Sequence, residues 1–599
     1  MERKYYFTFA SENDDCGVLI YDRNTGALLK KLPFPGESKV GKVHHLELDE
    51  EALPGELLYQ YYEGEKKYAD PKGRGFFAAK KYGEVKGEED IYTLLKTPLF
   101  DWRGSLEPRI PYEDSLVYCL HVRGFTRHAS SGVKARGTFG GVVEKIPYLK
   151  ELGVTTLEFQ PIYEFNERPK GLRNYSSGPE ESPRLNYWGY TKGFYYAPKA
   201  DYAQKDAITE CKEMIRALHE NQMEIVMQFY FPEDFNPLQI PDILRFWVEE
   251  YRVDGFHLIG ENLPAELLAQ LPELADTKLW YYQMDTQRIY GKNVLPKRKT
   301  LGLMRDDFLY DVRRFLKGEE GMIPGIMYHL RAIPAAVGRI HYLSTYWGFT
   351  LMDMVSYDFK HNEANGEDNH DGTDYNCSWN CGEEGFSRKK KIQRLRIQQL
   401  KNALCLLLFA QSTPRIFMGD EFGNSQKGNN NPYCQDNDVT WLNWKNLEKY
   451  REIHSFFRQL MEFRTRNCVL HPAKEASMMD SISCGYPDYS YHGMTAWRPQ
   501  MENYSRQLGV MYCGLYGEKR THDFIYLGMN MHWESHSLAF PRLPKGKRWV
   551  QLFSTSEEMT ETECGQDMIL IKPKTIAVFV SEDKENGKDL EALEDDNLS

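Results

Sequence analysis

The sequence predicts an α/β protein, a (β/α)₈ TIM barrel flanked by an N-terminal β-sandwich and a C-terminal antiparallel β-domain. Strand and helix patterns alternate from about residue 112 to residue 470, as such a barrel requires. Before residue 105, short apolar runs such as residues 17–21 are broken by glycine, proline and asparagine turns, which is typical of a sandwich. After residue 464 the chain returns to strand patterns. At 599 residues it is too long for one core.

Domain boundaries follow from these changes of pattern. We predict a β-sandwich at residues 1–105, a barrel at 106–475 and a C-terminal β-domain at 476–581. The remaining residues, 582–599, are acidic and poor in apolar side chains, so we expect them to be disordered.

Composition excludes several classes of protein. The 11 cysteines include no Cys-x-x-Cys pair, which indicates reduced thiols rather than disulfides or a zinc site. A net charge of −12 without a basic stripe argues against a nucleic-acid partner. No apolar run approaches the ~18 residues of a membrane helix, and the charged start is unlike a secretory signal. We therefore predict a cytoplasmic protein without membrane association, and we predict no cofactor and no metal ion.

Five segments resemble the barrel strands of a known family. Residues 112–126 resemble the first strand and its loop, and Thr-Thr-Leu-Glu-Phe-Gln-Pro-Ile at 155–162 resembles strand two. Residues 224–233, 251–260 and 278–285 resemble strands three, four and five of glycoside hydrolase family 13. In a barrel strand alternate residues point inward, so His257, Ile259 and Glu261 should share one side and Asp254 the other. Asp254 is then expected to be structural.

The segment after strand seven carries a family resemblance. It reads Ser-Thr-Tyr-Trp-Gly-Phe-Thr-Leu from Ser344 and runs through Asp-Gly-Thr-Asp at 371–374 to Ser-Trp-Asn-Cys-Gly at 378–382. This resembles the glycogen-debranching, isoamylase and pullulanase-type members of glycoside hydrolase family 13, the alpha-amylase superfamily. The strings at 186–190 and 418–423 resemble further loops of that family, and the N-terminal region resembles a family 48 carbohydrate-binding module.

The positions that carry chemistry in this family are occupied differently here. On strand four, His257 stands at the arginine of the motif and Ile259 at the nucleophilic aspartate. On strand five, Tyr282 stands at the acid/base glutamate, or Gln283 if the register slips by one residue. Trp347 stands at the stabilising aspartate.

Two further family positions are replaced as well. Tyr346 stands at the histidine that precedes the stabilising aspartate, and Gln228, Pro232 and Glu233 replace the Asp, Asn and His of strand three. Isoleucine cannot attack an anomeric carbon, and tyrosine with a pKa near ~10 is a poor acid at neutral pH. The usual two-carboxylate mechanism is therefore expected to be absent.

Two functions from different classes follow from the resemblance. The first is a non-catalytic protein that binds α-glucan, whether glycogen, starch or maltodextrin. The second is an active debranching α-1,6-glucosidase, or another O-glycosyl hydrolase or transglycosylase, with relocated carboxylates. Glu261, two residues past Ile259, is the candidate nucleophile, with Asp285 and Glu233 as partners. A third, weaker hypothesis is an association with other glycogen enzymes.

Aromatic residues near the barrel mouth are the candidates for sugar binding. In the family, the tyrosine at the position of Tyr190 stacks under the glucose at the cleavage point. Together with His257, the rings of Trp280, Tyr346 and Trp347 complete the predicted substrate-binding set. Because Trp347 is larger than the aspartate it replaces, and Tyr282 and Tyr346 add further ring volume, we also expect the subsite to be narrowed or filled.

Overall fold

The computed structural model describes residues 4–170, 184–556 and 567–584. Its centre is a closed barrel of eight parallel strands in chain order, and β8 closes on β1 through the pair Tyr118 and Ile416. The strands are β1 Val117–Leu120, β2 Thr156–Phe159, β3 Glu224–Tyr230, β4 Gly255–Ile259, β5 Lys278–Tyr281, β6 Leu301–Met304, β7 Gly338–His341 and β8 Thr413–Phe417. The predicted fold class is confirmed.

Helices surround the barrel and are amphipathic in the expected way. In the helix Ala207–Glu220, the Asp206 side chain accepts a hydrogen bond from the backbone N–H of Thr209 at 2.8 Å and so caps the first turn. Its buried residues Ile208, Cys211, Ile215 and Leu218 recur every three or four positions. The other α-helices are Val122–Arg127, Phe139–Glu144, Ile146–Glu151, Ile240–Tyr251, Ala265–Leu268, Thr286–Tyr290, Asp307–Lys317, Ile323–Arg331, Leu351–Met354, Lys390–Phe409, Asn446–Lys449 and Arg451–Arg466.

The N-terminal region consists of two antiparallel sheets. Lys4–Ala10 pairs with Val43–Asp49, and a larger sheet lies against this pair. The strands of the larger sheet are Cys16–Asp22, Leu28–Pro33, Leu57–Glu63, Lys66–Tyr68, Phe76–Ala78 and Ile91–Leu94. Phe7 packs against Val18 and Ile20, which alternate along one strand, so the core lies between the two sheets.

The C-terminal region is also antiparallel. Its main sheet has the strand order Tyr489–His492, Gln507–Cys513, Phe524–Asn530, Thr575–Asp583 and Lys547–Ser554. A second sheet pairs His536–Ala539 with Met568–Ile571. A short pair outside the barrel joins Tyr163–Glu164 to Phe194–Pro198.

The domain boundaries remain predictions. The last strand runs to Asp583, past the start of the predicted acidic tail, and residues 585–599 of that tail lie outside the described residues. Within residues 4–170, 184–556 and 567–584, no helix has the length and apolar character needed to cross a membrane.

Candidate functional site

An open cavity of about 460 Å³ lies at the carboxyl ends of β4, β5, β6 and β7. Barrel proteins place their sites at this end, and the volume is within the usual range for small-molecule sites. The lining residues are His257, Leu258, Ile259, Gly260, Glu261, Leu263, Ala265, Tyr281, Tyr282, Gln283, Met304, Tyr342, Tyr346 and Trp347. The three positions at which the resemblance predicts carboxylates, Ile259, Tyr282 and Trp347, therefore line one cavity.

Strand β4 presents His257 and Ile259 to this cavity as alternation requires. Ile259 is the last residue of β4 and pairs with Tyr230 on β3. Asp254 points elsewhere: its carboxylate lies 2.9 Å from Nε2 of His219 and accepts the backbone N–H of Ile225 at 2.8 Å. These contacts tie β4 to its neighbours, so Asp254 has the structural role that its parity predicts.

Tyr282 and Trp347 are the accessible rings of the cavity. Tyr282 follows the last residue of β5 and is 59% exposed, and Trp347 is also exposed. Gln283 also lines the cavity. A glutamate at either position would be in contact with solvent.

Tyr346 covers the face of Tyr190. The two rings are nearly parallel, at 13°, with centroids 4.9 Å apart, and the Tyr190 hydroxyl donates to the side-chain oxygen of Gln228. Trp188 packs edge-on against Tyr346 at 5.3 Å. A sugar stacking on this face of Tyr190 would have to displace Tyr346, so this part of the subsite is filled while the neighbouring cavity stays open. The subsite is therefore narrowed only in part.

Trp280 does not belong to the site, contrary to the sequence prediction. It is 1% exposed, and its indole N–H donates to the Tyr112 hydroxyl at 3.0 Å inside the barrel. Val117 and Val226 belong to the same buried cluster. The inward direction was predicted correctly, but Trp280 lies two residues below the rim that Tyr282 reaches, so a substrate cannot touch it.

Glu158 on β2 is the charged residue at the centre of the barrel, and sequence reasoning assigned it no role. Its Oε1 accepts from Nε2 of Gln228 at 2.6 Å and lies 2.7 Å from Nδ1 of His257, while its Oε2 forms an ion pair with Arg415 on β8. Burial raises the pKa of Glu158, but the Arg415 charge and the His257 hydrogen bond outweigh it and hold this pKa at about 2. The sequence signal that could have revealed Glu158 is the presence of a glutamate within the apolar run of strand two.

This carboxylate cannot act as a nucleophile. Glu158 has no exposed surface, and its oxygens are occupied by Gln228, His257 and Arg415. The network instead fixes His257 in the lining of the cavity. A second overlooked carboxylate, Asp306, follows β6 and accepts from the hydroxyl of Tyr342 at 2.7 Å.

The three substitute carboxylates are not brought together around the cavity. Glu261 is exposed and lines it. Asp285 caps the helix Thr286–Tyr290, accepting from the backbone N–H groups of Gln287 and Arg288 at 3.0 and 3.2 Å. Glu233 is exposed and does not line the cavity. Among the residues that the structure describes, Glu261 is the only carboxylate in the lining.

The chain is similar to known carbohydrate-active proteins. Residues 119–232 match the model of the alpha-amylase catalytic domain. Isoamylase 1 of Oryza sativa is 29% identical over a gapped alignment of 604 positions, which covers 83% of this chain and 72% of the relative. A glycogen operon protein GlgX homolog of Mycobacterium bovis is 32% identical over a gapped alignment of 458 positions, which covers 63% of this chain and 61% of the relative.

Solved structures share the fold. A pullulanase from Bacillus acidopullulyticus matches 97% of this chain and 74% of its own with a TM-score of 0.68 and 17% identity. A pullulanase from Paenibacillus barengoltzii, solved with maltohexaose and alpha-cyclodextrin, matches 98% of this chain and 94% of its own with a TM-score of 0.68 and 16% identity.

Proposed function

We propose that this chain is a glycoside hydrolase family 13 protein that binds α-glucan without cleaving it. The proposal starts from the match to the alpha-amylase catalytic domain model and from the similarity to isoamylase and to the glycogen operon protein GlgX homolog. The observation that carries this proposal is the cavity itself: it has the place and the accessible rings of a sugar site, but only one carboxylate, Glu261, among the described lining residues.

The missing chemistry follows from the geometry of glycosidases. A retaining enzyme needs two carboxyl groups about 5 Å apart and an inverting enzyme needs them roughly 6.5–9.5 Å apart. Ile259, Tyr282 and Trp347 supply no carboxyl group. Glu158 lies under the cavity floor as a permanently ionised member of an ion pair, so it neither donates a proton at neutral pH nor reaches a substrate.

Binding is supported by the rings that remain accessible. Tyr282 and Trp347 present apolar surfaces beside the polar groups of Gln283 and Glu261. A sugar has apolar C–H faces and hydroxyl edges, so it can stack on such rings while its hydroxyls meet the polar groups. Several pullulanases of the same fold were solved with bound maltooligosaccharides.

An active hydrolase is the second candidate, and the exposure of Glu261 at the cavity favours it. This carboxylate could attack a sugar only with a second acid nearby. Asp285 is engaged in capping a helix and Glu233 lies outside the lining, so neither is in place for that role.

Turnover and binding should be measured on the purified full-length chain. We expect no release of reducing ends from glycogen, pullulan or amylopectin above a buffer blank, and retarded migration in gels that contain glycogen. Trp347→Ala and Tyr282→Ala should reduce the retardation, whereas Phe386→Ala, which truncates an exposed ring outside the lining, should not. Turnover that is lost in Glu261→Gln would establish the hydrolase instead.

A further inference from the structure

A second group of exposed rings lies outside the cavity, where the helix Asp307–Lys317 meets the C-terminal sheets. Trp533 is 57% exposed and Tyr375 is 55% exposed. Both rings contact the turn that follows this helix, around Gly318. We call Tyr375 and Trp533 the junction rings.

Two buried cations hold Trp533 in place. Nζ of Lys574 lies 4.8 Å from the ring centroid and the guanidinium carbon of Arg506 lies 5.1 Å from it. Both cations are buried, whereas the Trp533 ring that they contact is more than half exposed. Lys574 in turn donates to the backbone oxygens of Lys317 at 2.9 Å and Met531 at 2.8 Å.

The turn requires glycine at position 318 for this arrangement. Gly318 ends the helix in a left-handed conformation with φ of 90°. A Cβ atom there would lie 2.5 Å from Nζ of Lys574 and 2.9 Å from the Met531 oxygen, so any side chain would push the lysine away. The close approach of Lys574 to the turn, which positions Trp533, therefore requires a residue without a side chain at position 318.

Tyr375 is fixed on the same turn. Its hydroxyl donates to Glu319 at 2.8 Å, and Nζ of Lys317 lies 5.4 Å from its ring centroid. Glu319 is held in addition by Nε of Arg314 at 2.7 Å. Burial and the bond to Glu319 raise the pKa of Tyr375, so it stays a neutral phenol. Rings that are already ordered lose little conformational entropy when a ligand stacks on them.

Tyr310 is a further exposed ring on this helix. It lies seven residues before Lys317, and therefore on the same face, roughly 10 Å away along the axis. The helix begins directly after Asp306, which binds the cavity residue Tyr342. The helix therefore runs from a residue that holds the cavity wall to the turn that carries the junction rings.

We propose that the junction rings form a second binding site for an α-glucan chain, distinct from the cavity and able to hold the same polymer. This proposal rests on the proposed function, because that function identifies the ligand class. The rings are flat apolar platforms separated by Lys317, Glu319 and Arg314 rather than parts of a continuous apolar patch. That alternation of apolar faces with hydrogen-bonding groups matches a sugar chain better than the apolar core of a protein interface.

The test uses the full-length chain with maltoheptaose and glycogen as probes. Trp533→Ala should weaken glycogen binding about fivefold to tenfold, and Tyr375→Ala should weaken it by a smaller factor. Trp533→Tyr keeps a ring and should retain most of the affinity. The loss should be greater for glycogen than for maltoheptaose, because a polymer can occupy the cavity and the junction together. Phe386→Ala is the control for an exposed ring elsewhere.

The outcomes separate the two proposals. If the parent protein is not retarded by glycogen, both are overturned. If the parent binds and Trp347→Ala weakens binding while Trp533→Ala and Tyr375→Ala behave like the control, only the second site is overturned. Dimerisation that Trp533→Ala abolishes without changing glucan binding would also overturn it, since a second copy would then cover the rings. Should Trp533→Ala fail to fold, Tyr375→Ala, an exposed position, and Trp533→Tyr decide the question.

Discussion

The interior and the mouth of the barrel differ in where charged side chains occur. In the interior, Glu158 and Arg415 form a buried ion pair whose carboxylate also contacts His257. At the mouth, the uncharged side chains of Ile259 and Tyr282 line the cavity, at positions where the family resemblance predicts carboxylates. Removing one member of a buried pair leaves an uncompensated charge, whereas an exposed rim position can change at little cost. The buried pair is therefore the more costly of the two to change.

The largest effect is expected from breaking the interior pair. Arg415→Met should lower the free energy of unfolding by about 3–5 kcal/mol, because Glu158 would remain buried without its cation. Chemical denaturation measures this loss. The double variant Glu158→Gln with Arg415→Met should recover much of the lost free energy of unfolding. The control is Arg305→Met, which removes an exposed pair with Asp307 at 3.9 Å and should cost under about 1 kcal/mol. If Arg415→Met lowered the free energy of unfolding by no more than this control, the interior pair would contribute no more than an exposed pair, and the comparison would be refuted.

A second test concerns another buried acid, Glu421, and the effect of its ionisation on stability. Burial raises the pKa of Glu421 to about 7, although its carboxyl accepts from the hydroxyls of Tyr118 and Tyr148 at 3.0 and 2.7 Å. A raised folded-state pKa stabilises the protein below about pH 4.5, and this contribution is lost as the pH rises through about 7. Stability should therefore fall between pH 5 and pH 8.

The variant Glu421→Gln isolates this contribution. It keeps an acceptor for both tyrosines and cannot ionise, so its loss of unfolding free energy between pH 5 and pH 8 should be smaller than that of the parent by about 2 kcal/mol. Denaturant titrations at the two pH values measure the difference. Asp353, with a pKa raised by burial to about 6, remains in both proteins and cancels in the comparison. The charge of Asp420 also raises the pKa of Glu421, so the titration of Asp420 contributes to the measured difference. An equal pH dependence of the unfolding free energy in both proteins would refute a raised pKa of Glu421.

The smallest effect is expected at Tyr282 in the mouth. Tyr282→Glu should change the free energy of unfolding by under about 0.5 kcal/mol, because the new charge would meet solvent. Trp347→Asp should cost about 1–3 kcal/mol, since the Trp347 ring is only 37% exposed and packs edge-on against Tyr346. Ile259→Asp should also cost about 1–3 kcal/mol, since Ile259 is half-buried. Thermal and chemical unfolding of the three single variants would check this order.

Restoring the three carboxylates should still not restore hydrolysis. Tyr346 would continue to cover Tyr190, and His257 would remain bound to Glu158 in place of a group that orients a nucleophile. Reducing-end assays on glycogen would check this expectation. Cleavage by the triple variant would show that the mouth had stayed organised for chemistry.

The sequence by itself determined the order of the barrel strands and the family resemblance, and it predicted the loss of the catalytic carboxylates. These features are readable because strand alternation and local motifs depend on residues close together in the chain. The same alternation correctly separated Asp254 from His257 and Ile259. It also predicted that the side chain of Trp280 points inward.

Only the tertiary structure decided how high in the barrel each inward residue lies and what stands opposite it. Trp280 is enclosed by Tyr112 while Tyr282 reaches solvent, although both have the same parity. Glu158 and Arg415 are separated by 257 positions and meet only because the barrel closes. Burial, ion pairing and pKa depend on such contacts between distant strands, and the local pattern of a strand contains no information about its partners across the barrel.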